Sequence, residues 1–511
     1  MKKYNFLKNI NMKTNRIFNF INHIKFAAII SAIALISFSS CTKDLLDLKP
    51  QTSITAENAF TTSSQILAQV NGLYADAKTS GFYGGGLVSF TELHADEFIN
   101  SSQNTGDGAA IFNNSVSPSY SQIVSTWSGG YTLINNANIL IDNLGKSTVL
   151  LSTTQTKSDS IKNIYIGEAK FLRALAYLDL VQFYAQPYAT AGGAQSGLPL
   201  RLTAITSLQN GDLARSSVSQ IYSQILSDLN DAETVLPVTN TSTALNSYRA
   251  HKASAIALKT RVYLSKGDYA NVVTEAAKII NPASPGTGIG AGSVHKLDAS
   301  ITTVFSGSYT GAEAILFFPF NTSDAGTSQA HPDYFFLNTG FVTLNPNNIA
   351  KADSLTIFSA TSGDARNNFI TRVLTGGKQT SITFKKFPTK SPLIDYVPAI
   401  RYAEILLNYA EALARTGDES NAIQILKAVR KRSNATYTFP AADLLSTNLI
   451  NTILHERRVE LLGEGLRLFD LYRLGLPIPA KTANIAAVPI SSNQYIWPIP
   501  STETATNSLI N

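Results

Sequence analysis

A mostly α-helical body, with helix pairs as a scaffold and long polar loops as a variable part, is the fold class this sequence predicts. Three observations predict it. Apolar residues recur at helical spacing through a series of segments along the chain. Two of those segments fold back on a Gly-Asp step. The stretches between them are rich in Gly, Ser, Asn, Thr and Pro and carry no period. With 511 residues, 44% of them hydrophobic and 15% charged, the chain can bury a large core, which excludes a disordered polymer. Its 31 Gly and 19 Pro exclude a collagen-like one.

The N-terminus stands apart. Residues 1–40 hold six basic residues (Lys2, Lys3, Lys8, Lys13, Arg16 and Lys25) and no acid. Of 41 Lys and Arg, 35 therefore remain for the rest of the chain, against 35 Asp and Glu, so the formal charge of +6 belongs to this segment. A neutral body has no general attraction for phosphate backbones, which excludes nucleic acid as an expected partner. After the basic residues, Phe26 to Phe38 is uncharged and mostly apolar, the length of a signal-peptide core and short for a membrane span. Ser39, Ser40 and Cys41 follow. Small residues ahead of the only cysteine resemble a bacterial lipobox, so Cys41 is expected to carry the lipid anchor. A lone cysteine also excludes an intramolecular disulfide.

Helices are predicted at Ser63 to Ala77, Ile123 to Leu144, Asn163 to Tyr184, Val218 to Leu236 and Leu449 to Leu462. Tyr248 to Ile280 reads as two helices joined at Gly267-Asp268, and Tyr402 to Arg430 repeats the arrangement around Gly417-Asp418. In the second pair Ala403, Leu406, Leu407, Ala410, Leu413 and Ala414 form one stripe, whose small alanines admit a close neighbour. Both hairpins resemble tetratricopeptide units of about 34 residues. Asn100 to Ser119, Ala189 to Gly197, Asn281 to Ser293 and Asn321 to Gln329 read as surface loops, and short strands are expected near Ala314 to Phe320 and Ile382 to Phe387. On such scaffolds specificity usually lies in the loops.

Catalytic patterns are scarce. His94, His251, His295, His331 and His455 are scattered, without the i,i+4 pair of a zinc protease helix, and no phosphate-cradling loop occurs. No cofactor and no metal are expected. Gly84-Gly85-Gly86 after Phe82-Tyr83 reads as a flexible turn beside aromatics. Glu456, Glu460 and Glu464 are interleaved with Arg457, Arg458 and Arg467, and Asp470 and Arg473 continue the series, which predicts a structural ion-pair network. Glu404 and Glu411, seven apart, read as structural too.

Several segments together are similar to the SusD/RagB family of outer-membrane nutrient-binding lipoproteins. They are Glu168-Ala-Lys-Phe-Leu-Arg-Ala-Leu-Ala-Tyr with Gly197-Leu-Pro-Leu, and Arg215-Ser-Ser-Val with Asp228-Leu-Asn-Asp-Ala. Arg401-Tyr-Ala-Glu-Ile-Leu-Leu-Asn-Tyr-Ala-Glu-Ala comes next, then Glu456-Arg-Arg-Val-Glu-Leu with Glu464-Gly-Leu-Arg-Leu-Phe-Asp-Leu-Tyr-Arg473, and finally Trp497-Pro-Ile-Pro. The resemblance implies a SusD-like α-α superhelix: a signal peptide at 1–40, an N-terminal region at 41–240, and a C-terminal region at 241–511 intertwined with it. It implies a non-catalytic lipoprotein, lipid-anchored in the outer membrane and facing outward. That protein would capture a glycan or an oligopeptide and deliver it to a SusC-like TonB-dependent β-barrel transporter. A tetratricopeptide-type envelope scaffold and a surface glycoside hydrolase are the other classes considered.

Sugar recognition needs aromatic faces for ring surfaces and planar polar groups for hydroxyls. On that chemistry the candidate binding residues are Phe82 and Tyr83 with the Glu92 to Asn100 stretch, Phe112, Asn113, Tyr120, Tyr309 and Tyr334. Trp127 lies on a predicted helix with Tyr131 and Asn138, which assigns it to the core.

Overall fold

In the computed structural model, helices begin where the sequence offers caps. Thr62 accepts the amide of Gln65 and opens α1, Ser63–Ala77, whose buried face is Ile66, Val70, Leu73, Tyr74 and Ala77. The structure describes residues 59–100, 108–206, 211–287, 294–326, 331–337, 342–345, 357–359, 361–375, 378–389 and 391–510. By its contacts the chain divides into residues 1–59 and residues 60–511, and the described helices and strands belong to the second unit. Cys41 lies outside the described residues.

The long helices come in order: α2, Gly86–His94; α3, Ser121–Lys146; α4, Gln155–Tyr184; and α5, Val218–Val235, opened by a reciprocal Ser217–Gln220 capping box. Two helix pairs come next. In each, a left-handed glycine ends the first helix, Gly267 (φ 73°) after α6, Lys252–Lys266, and Gly417 (φ 94°) after α8, Tyr402–Thr416. An aspartate then caps the second, Asp268 for α7, Tyr269–Ala276, and Asp418 for α9, Glu419–Ser433. The Gly-Asp step read in the sequence thus does two jobs in two residues. Helices α10, Ser446–Glu460, and α11, Arg467–Arg473, complete the set. From α3 to α8 each helix packs on the next, and α8 also carries α9 and α10. The fold is mostly helical, as the periodicity predicts.

Strands are short and, among the described residues, form four antiparallel pairs. β1 (Phe98–Asn100) pairs β5 (Val342–Leu344), and β2 (Ser196–Pro199) pairs β3 (Arg215–Ser217). β4 (Ala314–Phe318) pairs β8 (Val397–Arg401), and β6 (Ile370–Thr375) pairs β7 (Lys378–Phe384). Both β4 and β8 are buried along their whole length, which explains their continuous apolar runs.

The charged residues of α10 and of the segment up to Arg473 do form a network, with a different wiring from the one their spacing suggests. Glu456 accepts from Arg366 (2.7 Å) and Arg430 (2.5 Å), and Glu464 takes a fork from Arg401 (2.6 and 2.8 Å). Glu460 takes Arg401 at 2.8 Å, Arg432, and Arg366 at 3.4 Å. The interleaved Arg457 and Arg458 turn elsewhere, to Asp470 (2.7 Å) and to Asp96 (3.3 Å) and Glu97. Of the charges read there as one helical series, Asp470–Arg473 is the pair that forms at i,i+3. The network joins elements rather than bracing one helix. Glu404 and Glu411 are likewise structural, forked by Arg261 and Arg473.

The last residues close the core. Trp497 is fully buried, its ring stacked 4.1 Å from Phe183 and its amide donating to Phe183 O at 2.8 Å. Lys481, also buried, donates to Leu93 O (2.7 Å), Phe112 O (2.8 Å) and Asn114 Oδ1 (3.2 Å). Burial pushes its ammonium down to about 7. Trp127 is a core residue, as its helix position implies.

Candidate functional site

Four separate segments meet at a cleft of about 430 Å³. The last turn of α1 supplies Asn71, Tyr74 and Ala75, and its C-cap supplies Lys78. Tyr248 and Arg249 end the short helix Thr243–Tyr248, just before α6. Tyr309 comes after the short helix Ile301–Ser306. Phe318 ends β4, Pro319 and Phe320 follow it, and Asn321 and Asp324 lie on the turn beyond. That turn is held by the Asn321 carboxamide oxygen, which accepts the amides of Ser323 (2.8 Å) and Asp324 (3.0 Å).

Its floor is a rigid polar knot. Arg249 forks onto Glu168 at 2.5 and 2.6 Å and donates its third nitrogen to Asn71 Oδ1 at 3.1 Å. Tyr74 donates to the same carboxylate at 2.6 Å and accepts the amide of Ala250 at 2.8 Å. Burial, then the charge of Glu168, pushes the Tyr74 phenol well up, while Glu168 raises the Arg249 guanidinium against the downward pull of burial. Neither group titrates near neutrality. They position the wall.

The aromatic edge runs from the cleft into the core. Tyr248 and Tyr309 meet at 6.2 Å and 65°, Tyr309 meets Tyr396 at 6.4 Å, and Tyr396 stacks on Phe317 at 5.4 Å. Such edge-to-face contacts fix ring orientation while leaving part of each outer ring exposed. Lys78 holds its ammonium 4.3 Å from the centre of the Phe320 ring and pairs with Asp324. Among the described residues, the phenols of Tyr248 and Tyr309 and the NH2 groups of Asn71 and Asn321 make no hydrogen bond, and all four residues border the cleft. The result is apolar ring surface with planar amides and hydroxyls beside it.

Of the binding candidates read from the sequence, Tyr309 lines this cleft. Phe82, Tyr83 and Phe112 are a correction: they are buried in the core and present no open ring face. Tyr83 lies beneath the cleft, 4.7 Å from the Phe318 ring, with its hydroxyl on Asp179 at 2.9 Å. The expected loop from Glu92 is also corrected, since Glu92 to His94 belong to buried α2 and Asp96 and Glu97 are buried after it. Asn100 is half-buried on β1, Asn113 is exposed after the short helix Ala109–Phe112, and Tyr120 is half-buried ahead of α3. Tyr334 is half-buried on the helix Pro332–Leu337. Asn71, Lys78, Tyr248 and Phe320 had no local signal as binding residues, whereas Asn321 and Asp324 lie in a stretch read as a surface loop.

Two family models match this chain, and together they span both its ends. One, described as the SusD family, matches residues 385–511, and the other, described as starch-binding associating with outer membrane, matches residues 44–264. The chain is similar to the SusD family over both of these stretches. It is similar to the SusD-like protein P38 of Formosa agariphila, 26% identical over 91% of this chain and 94% of that one. A SusD superfamily protein from Bacteroides fragilis matches with a TM-score of 0.76 and 28% identity, over 89% of this chain and all of that one. A laminarin binding SusD-like protein shares the fold at a TM-score of 0.68 and 22% identity, over 88% and 98%. No described helix of this SusD-like chain is long and apolar enough to cross a membrane.

Proposed function

We propose that this chain captures a glycan in the cleft between α1, Tyr248, Tyr309 and Phe320, and that it does so without cleaving it. The observation that carries this reading is the lining itself: ring edges of Tyr248, Tyr309 and Phe320 beside unbonded amide and phenol groups, in a volume suited to a few sugar units. The carboxylates at hand are already engaged, Glu168 by Arg249 and Tyr74, and Asp324 by Lys78. A glycosidase needs a pair of acids free to protonate and to attack. The starch-binding description of the N-terminal family model and the laminarin-binding neighbour support a carbohydrate ligand.

The wider setting extends this reading. Cys41 carries the lipid that holds the protein on the outer membrane, and a SusC-like TonB-dependent β-barrel receives the captured ligand. The family supports both. Calorimetric titration against laminarin, starch and peptide oligomers tests capture. Saturable binding of one glycan class, with no product formed, is the expected outcome. Binding of peptides alone would move the assignment to oligopeptide capture, and reducing-end release by the pure protein would overturn the non-catalytic reading.

A further inference from the structure

Each cation at the cleft has its own carboxylate. Arg249 is spent on Glu168 through two nitrogens and on Asn71 through the third. Lys78 is spent on Asp324. Counting Lys78, Arg249, Asp324 and the Glu168 behind them, the formal charge of the wall is zero, and among the described lining residues no cation is left uncommitted.

The two pairs differ in kind. Glu168 is buried and held by three donors, so it is a fixture. Asp324 stands on an exposed turn with 62% of its side chain in solvent, and among the described residues its carboxylate accepts from Lys78 alone. The lysine, by contrast, keeps only 14% of its side chain exposed, laid over the Phe320 ring. A cation is thus held at the mouth of the cleft and masked by a removable anion.

We infer that Asp324 is a specificity-determining residue, which masks Lys78 and restricts the cleft to uncharged glycans. A uronate or sulfate ester entering beside Phe320 must displace Asp324 from Lys78. It then lies against the released carboxylate, and that like-charge contact opposes it. A neutral sugar meets the same wall without disturbing the pair and stacks beside Lys78 and Phe320. This inference rests on the glycan-capture reading of the same cleft.

The test uses the full chain purified in detergent, titrated with laminarihexaose and with a mannuronate hexamer of equal length. The wild-type protein binds the neutral hexamer and binds the uronate at least tenfold more weakly. Asp324→Asn leaves the turn's backbone bonds in place and frees Lys78, so uronate affinity rises about tenfold at low salt. That gain disappears at 0.5 M salt and in the Asp324→Asn, Lys78→Met double variant. A wild-type preference for the uronate, or no gain in Asp324→Asn, overturns the inference while Tyr309→Ala still weakens neutral binding. Neutral binding unaffected by Tyr309→Ala, or no binding of either hexamer, overturns the cleft reading and this inference with it.

Discussion

The indole nitrogen of Trp497 donates to Nδ1 of His94 at 3.1 Å, joining residues 403 positions apart. An indole N–H only donates, so Nδ1 must accept, and the proton of His94 lies on Nε2, facing Gln494 O at 3.3 Å. Burial, aided by the charge of Lys481, pushes this imidazole down to about 3 and keeps it neutral. Replacing Trp497 by Phe leaves a buried acceptor unpaired and a gap beside Phe183. The expected cost is about 2–4 kcal/mol, read as a lower denaturation midpoint at unchanged slope.

Glu460 is the hub of the buried ion network. Arg432, Arg401 and Arg366 hold its carboxyl well below the usual range against the upward pull of burial. Glu460→Ala takes one shared carboxylate from three guanidinium groups that keep their other partners, leaving a buried excess of positive charge, and a loss of about 3–5 kcal/mol is expected. Glu419→Ala, whose carboxylate bonds only the exposed Ser446 among the described residues, is the control and should change the unfolding midpoint little.

Glu92 runs the other way. Burial raises its carboxyl to about 8, outweighing the 2.7 Å hydrogen bond from Gly465 N–H. Its folded value lies above the unfolded one, so the native state holds a proton that the unfolded chain releases between about pH 4.5 and 8. Stability from this group therefore falls as pH rises through that window. Glu92→Gln removes the titration, and its advantage over wild type should grow by about 1–3 kcal/mol between pH 5 and pH 8. An advantage independent of pH would show that Glu92 is ionised in the fold.

Phe320 tests the cleft by its aromatic side. Phe320→Ala removes the ring under Lys78, and Tyr309→Ala removes both a ring and a phenol. Each should weaken glycan binding about ten- to hundredfold. Equal affinity in both variants would exclude this cleft.

Lipid attachment predicts a change of compartment. Cys41→Ser should release the protein from membrane to soluble fraction, and mass spectrometry of the wild type should find acyl chains on the residue-41 terminus.

Much of the scaffold was legible where a helix keeps a wet face, as α1 and α5 do. Ile66, Val70 and Leu73 mark α1 and its bounds, and the two Gly-Asp steps mark their hairpins. Helix α2 was hidden for the opposite reason: every residue from Gly86 to His94 is buried, so no polar face alternates with the apolar one. The first turns of α4, from Gln155, are polar and extend the helix beyond the apolar stripe that starts at Asn163. The cleft was legible only at Tyr309. Its other groups come from a helix end, a pre-helix bend and a strand end, and none carries a local pattern that differs from ordinary surface.

The fastening role of Lys481 and Trp497 has a consequence for biogenesis. Carbonyls at Leu93, Phe112 and Phe183 wait for donors that lie near the chain's end, and Asn507 likewise bridges to Leu213. Contacts so distant in sequence close slowly and late. Until the segment from Lys481 to Asn507 docks, these acceptors lack their donors, and its arrival closes that side of the core.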